Sequence, residues 1–426
     1  MKKTDDQYQR YLDILREELI PAMGCTEPIA IAYAAARARE ELGEQPEKVE
    51  IIASANILKN VNSVVVPNTG GLKGMEASAA AGIVGGISKK VLEVISHLES
   101  DDHIKIKQFL DSKEIKIRKS DRDLMFDLEV NVFSKESKAS VHIAHYHTNI
   151  VSIKKDDQVI YDNLDCNEMS TKNLTDRSKM SVESILDFVE SVDINEVAEL
   201  LQRQVDYNTA IAEEGLKGNW GANIGSVLLG TSGEDIKIRA KAYAAAGSDA
   251  RMSGCKLPVM IVSGSGNQGM TASLPVVMFA KELKSSKEDL YRALLVSNLV
   301  TIHQKTGIGR LSAYCGAISA GVGAGSGIAW LHGGRYDEIS HTIVNALAIA
   351  SGVICDGAKP SCAAKIALSV EGGILGYFMY KEGQKFCSGD GIVTGDVENT
   401  IANIGRVASR GMKETDKEII NIMLGE

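Results

Sequence analysis

Seven cysteines are the chemically suggestive residues of this 426-residue chain, and four of them sit where chemistry is easiest to imagine. Cys25 lies in Met23-Gly24-Cys25-Thr26-Glu27-Pro28. Thr26 can cap a helix over 26–42, Glu27 suits its positive end, Pro28 fits the first turn and Gly43 follows the last. A cysteine just before a helix start faces free N–H groups and the positive end of the macrodipole. That setting favours a thiolate, able to act as nucleophile or general base. The plain alternative is a small buried apolar residue. Cys315, Cys355 and Cys362 all lie in Gly/Ala-rich surroundings, and six residues separate the last two. That interval is neither the tight ferredoxin cadence nor a paired CxxC zinc pattern, so by spacing alone three buried structural cysteines are a more natural reading than a metal centre. Cys166, Cys255 and Cys387 receive no role, with Cys387 the substitute should one of the three fail.

Two other motifs invite chemistry. Gly264-Ser265-Gly266-Asn267-Gln268-Gly269 follows the apolar run 258–262 and matches the letters of a dinucleotide fingerprint. Pro275 is expected to break the helix that should follow, and no acidic residue closes a second strand about twenty residues on. A backbone loop approaching a small anion such as an amino-acid carboxylate is one reading, and a tight connection is the other. His142, His145 and His147 fall in a strand pattern with no neighbouring carboxylate or cysteine, which predicts an exposed strand face.

Helices are expected over 6–20, 26–42 and 73–98, and strands within 48–66. Strict alternation of Leu124, Phe126, Leu128, Val130 and Val132 predicts a half-buried strand, continued by Val141 and Ile143 and by Val151 and Ile153. Residues 162–180 read as a polar linker, and the pattern from 181 onward is mostly helical. The fold expected is α+β: a large, mostly helical, Gly/Ala-rich catalytic domain (175–426), an α/β module with an antiparallel sheet (46–174), and an N-terminal helical arm (1–45) joining the catalytic domain.

Composition sets the outer limits. A charged fraction of 24% with a hydrophobic fraction of 44% is globular rather than disordered. The net charge of −9 leaves no basic excess for phosphate backbones, so nucleic acid is not an expected partner. Residues 1–20 are charged throughout, and the odd, dispersed cysteines suggest reduced thiols, so the expected location is the cytoplasm. Residues 257–280 and 311–334 lack Asp, Glu, Lys and Arg and are long enough to cross a bilayer. Their Gly, Ser and Pro content predicts buried core instead, and no membrane association. Forty glycines beside seven prolines, seven phenylalanines and two tryptophans suggest close helix packing or backbone brought near a ligand.

Met23 to Pro28, the run Asn68-Thr69-Gly70-Gly71-Leu72-Lys73-Gly74, the loop 263–269 and the set Cys315, Cys355, Cys362 together resemble the L-cysteine desulfidase family. That group is related to the alpha chain of bacterial iron–sulfur L-serine dehydratase, and the resemblance runs essentially end to end. It implies a [4Fe–4S] enzyme independent of pyridoxal phosphate that converts L-cysteine to pyruvate, ammonia and sulfide. It assigns the cluster to Cys315, Cys355 and Cys362, and removal of the α-proton to Cys25. Loop chemistry adds Asn68, Thr69, Ser263, Gly264, Ser265, Gly266, Asn267 and Gln268 as substrate-binding residues. The competing readings are L-serine dehydration on the same site, a pyridoxal-phosphate lyase, an iron–sulfur sensor and a binding protein with structural cysteines. The partner expected is a small amino acid, and a homodimer would be unsurprising.

Overall fold

The computed structural model describes residues 1–156, 158–163 and 174–424, and it is an α+β protein, mostly helical. The chain opens with α1 (Asp6–Glu18), β1 (Pro21–Met23) and α2 (Thr26–Leu42). It continues through β2 (Lys48–Ala53), α3 (Ala55–Val61), α4 (Gly74–Gly85), a 3-10 segment (Ser88–Glu93) and α5 (Ser100–Ser112). Next come β3 (Glu114–Lys119), β4 (Asp127–Phe133), β5 (Lys138–Ala144), β6 (Ile150–Lys155) and β7 (Gln158–Asp162). The helical half holds α6 (Val182–Ser191), α7 (Ala198–Lys217), α8 (Ile224–Ser232), α9 (Ile236–Met252), β8 (Pro258–Met260) and α10 (Gly266–Leu283). It ends with α11 (Lys287–Ile308), α12 (Gly316–Leu331), α13 (Tyr336–Ala350), α14 (Cys362–Lys381), α15 (Val397–Arg406) and α16 (Lys413–Leu424). Cys166 and part of the expected linker lie outside the described residues.

Strands β3-β2-β4-β5-β6-β7 form one six-stranded sheet, antiparallel except for the β2–β3 pair. Alternation along β4 buries Leu128, Val130 and Val132, and α2 covers that face of β4 and β5. The N-terminal segment divides between the two halves. Its α2 packs on the sheet, whereas α1 stacks Tyr8 and Tyr11 against Phe188 of α6.

Where local pattern and structure differ, packing or glycine explains it. Only β2 comes from the expected strands in 48–66. Residues 55–61 coil into α3, because Ile57 and Val61 lie one turn apart and both are buried. Helix α4 stops at Gly85, since Gly86 is extended, and the rest of 73–98 includes only the 3-10 segment. Pro275 sits inside α10 and does not end it. A proline inside a helix costs about 3 kcal/mol through a lost hydrogen bond and a ring clash, but nearly every residue from Gly266 to Ala280 is buried, and that packing holds the helix.

The two charge-free segments are largely interior: one forms β8 and most of α10, the other α12. Among the described residues one helix, α14, is long and apolar enough to span a bilayer, and 56% of its apolar window is buried within the molecule. Helix α12 lies among α10, α11, α13 and α14 at backbone contact distance. A Cβ on Gly321 would stand 2.2 Å from the Ser369 carbonyl oxygen of α14. Gly321→Ala therefore forces two buried helices apart. The expected cost is about 1–3 kcal/mol, read as a lower midpoint in denaturant unfolding, while Gly230→Ala, with nothing within 4 Å, has no such clash.

Candidate active site

Two small pairings assemble the site. Strand β1 runs antiparallel to β8, pairing Pro21 with Met260 and Met23 with Pro258. The residues that follow each strand, Gly24-Cys25-Thr26 and the loop leading to α10, are thereby brought side by side. Thr26 Oγ1 fastens them by donating to the Gly264 carbonyl oxygen at 3.0 Å. Far along the chain, Tyr314 bridges Ile354. Cys315 N–H donates to Val353 O at 3.0 Å and Cys355 N–H to Ala313 O at 2.6 Å. Cys362 is the first residue of α14, which packs along α12 immediately after Cys315.

These segments enclose a cavity of about 100 Å³, and Cys25, Cys315, Cys355 and Cys362 all line it. Cys25 and Cys362 also share a small apolar cluster with Val64 and Met252. Ser265, Asn267 and Gln268 reach the cavity wall from the start of α10. The other proposed binding residues are placed elsewhere. Asn68 donates to Ile95 O at 3.0 Å, and Thr69 donates to Val66 O at 2.7 Å, so their polar groups secure the local backbone. Ser263 and Gly264 take positive φ angles of 48° and 80° to turn the chain into α10, and with Gly266 they stay behind the lining. Cys387 is exposed and Cys255 is buried, both away from the cavity.

Cys25 is the N-terminal flanking residue of α2, yet its sulfur is not a stabilised thiolate. Its S–H donates to Glu27 Oε2 at 3.2 Å. Burial pushes the thiol well above its usual range, the Glu27 charge pushes it further, and Arg251 works in the opposite sense. Desolvation at this 3%-exposed position outweighs the helix end.

Glu27 is the residue that sequence reading underrated, since there it only favoured the helix start. Its carboxylate is buried and also accepts from Thr26 Oγ1 at 3.1 Å and Asn60 Nδ2 at 3.0 Å, with His147 Nε2 3.6 Å away. Burial would raise its pKa, but His147, Cys25 and a backbone N–H bring it down to about 2. His147 is therefore no surface residue. His142 is buried as well, with Nε2 2.6 Å from Asp127 Oδ1 on the neighbouring strand, and only His145, beyond the end of β5, is half-buried. The carboxylates were invisible in the adjacent sequence because strand pairing and α2 supply them.

Cys315 and Cys362 resist ionisation. Burial raises Cys315, and Cys355 and Cys362 add to it; burial likewise raises Cys362. Lys305 lines the same wall, and burial brings its ammonium down to about 8 although nearby Cys355 and Cys315 favour the charge. A single zinc ion needs donors closing on it at about 2.0–2.3 Å. Among the described residues no three His, Cys, Asp or Glu side chains are so grouped. The donor set is three sulfurs spread along a shared wall beside buried cations. Cysteine sulfurs are the donors that hold thiolate-ligated metal centres such as iron–sulfur clusters.

Residues 87–421 match the serine dehydratase alpha chain family, and the chain belongs to that family. The matched span contains Cys315, Cys355 and Cys362 and begins after Cys25. Full-length likeness extends to proteins that bear only the name UPF0597. One from Desulfitobacterium hafniense is 61% identical over 426 residues, covering 100% of this chain and 99% of the relative. Another from Lachnoclostridium phytofermentans is 49% identical over 98% of this chain and 100% of its own length. A third, from Treponema denticola, is 45% identical over the whole of both chains.

Proposed function

We propose that this cavity is the active site of a lyase that eliminates the β-substituent of a short L-amino acid, converting L-cysteine to pyruvate, ammonia and hydrogen sulfide through 2-aminoacrylate. The observation that carries the reading is the convergence of Cys25, Cys315, Cys355 and Cys362 on one cavity beside the buried Glu27 carboxylate. Cys315, Cys355 and Cys362 would hold a [4Fe–4S] cluster, which supplies a Lewis acid through an iron left without a protein ligand.

The chain's own residues handle the proton. In the structure Cys25 holds it and Glu27 accepts the hydrogen bond. Cys25 can take an α-proton only as the thiolate, so its own proton must leave first. Positive charge near the sulfur favours that loss, and Arg251 already acts in this direction. Thr26 and Asn60 hold the Glu27 carboxylate in place. Burial keeps water from the pair.

L-Serine dehydration is the second reading, favoured by the description of the matching family. It differs in the leaving group alone. The test is purification under strict anaerobiosis, analysis for iron and acid-labile sulfide, and a pyruvate assay with each amino acid. Iron, sulfide and pyruvate together are the expected result, and the faster substrate decides between the two readings. Protein that carries iron and sulfide but releases no pyruvate from either amino acid overturns the lyase in favour of a cluster used as a sensor.

A further inference from the structure

Arg251, in the last turn of α9, lines the cavity and is only 2% exposed. Its guanidinium is permanently charged, and burying such a group without a counter-ion is costly. Nη1 donates to Asn267 Oδ1 at 3.1 Å, but among the described residues Nε and Nη2 have no partner at all. These two nitrogens share one edge of the guanidinium and point their hydrogens in parallel, the fork that grips both oxygens of a carboxylate. Gly266 makes room for the guanidinium at the start of α10, since a Cβ there would lie 2.4 Å from Arg251 Nε and 2.8 Å from its central carbon. A second orphan belongs to another residue of the same lining. Gln268, 5% exposed, has an Oε1 acceptor without a donor.

One ligand satisfies both deficits. We infer that Arg251 binds the α-carboxylate of a free amino acid through Nε and Nη2, while Gln268 Oε1 accepts a hydrogen bond from its α-ammonium. The inference rests on the reading of this cavity as an amino-acid site and narrows its substrates to zwitterions with an unblocked carboxylate. It also proposes a different source of carboxylate recognition. A buried side chain on α9 supplies the anchor, with Asn267 holding the guanidinium, in place of the backbone of loop 263–269.

The test is calorimetric binding of L-alanine, which has no leaving group, and of L-alaninamide, which lacks the carboxylate, to anaerobically purified protein. Arg251→Gln should weaken L-alanine about 10- to 100-fold, the usual range for a lost charge-assisted pair. Arg251→Lys, which keeps the charge but loses the fork, should recover only part of it. The amide should bind weakly to all three proteins, with little dependence on residue 251. Wild-type affinity for L-alanine in both variants overturns the anchor, and so does equal binding of acid and amide by the wild type. Arg251-dependent binding without pyruvate from L-cysteine or L-serine keeps the anchor and removes the lyase. Turnover with unchanged KM in Arg251→Gln does the reverse.

Discussion

Cys355→Ser, purified without oxygen, is expected to fold, to retain little iron and to lose at least about 100-fold in turnover. That factor is the upper end for losing a partner of a metal ligand, and the ligand itself is worth no less. Folding should survive because Cys355 is only partly buried and its place is fixed by backbone, through its N–H on Ala313 O and the Tyr314–Ile354 bridge. Serine keeps those bonds and the volume, but its hydroxyl is a poor iron ligand. The measurements are iron per chain, the visible absorbance of the cluster and the thermal midpoint. Cys387→Ser is the control, since that exposed sulfur lies away from the cavity, and it should leave all three unchanged. If Cys355→Ser keeps full iron, or if Cys387→Ser loses it, the ligand set is wrong.

This prediction depends on an arrangement that local sequence carries only in fragments. The start of α2 was legible because Thr26, Glu27 and Pro28 encode it in neighbouring positions, and the period-two run of β4 was legible because one face is buried on α2. Cys315 and Cys355 could be singled out by their Gly-rich setting, but what joins them is a two-residue bridge that no spacing rule describes. The same holds for Arg251. It ends an Ala-rich helix and reads as an ordinary cation near a C-terminus, until burial and the approach of Gly266 leave its fork unpaired. The surroundings of Cys25 were hidden for a related reason. Position at a helix end is a local property visible in sequence, whereas desolvation depends on everything folded around the residue. At full burial desolvation is the larger effect.

That reversal sets up the second large effect. Cys25→Ser should keep the iron of the wild type and lose turnover by about 10²–10⁴-fold, the usual worth of a positioned acid–base group. The serine hydroxyl can still donate to Glu27, so the local geometry persists. It gives up its proton far less readily than a thiol, so removal of the α-proton stops. Glu27→Gln separates this chemistry from simple packing. Because the Glu27 charge opposes ionisation of Cys25, its removal shifts the thiol pKa downward, although burial still holds it above the ordinary range. If catalysis requires the ionised sulfur, the rising limb of kcat/KM against pH moves to lower pH in Glu27→Gln. A structural role predicts the opposite pattern: lower stability in both variants, with the pH profile unmoved. Full activity of Cys25→Ser would transfer the α-proton to another group on the cavity wall, and Glu27 itself, a carboxylate held at about 2, would be too weak a base to be the natural heir.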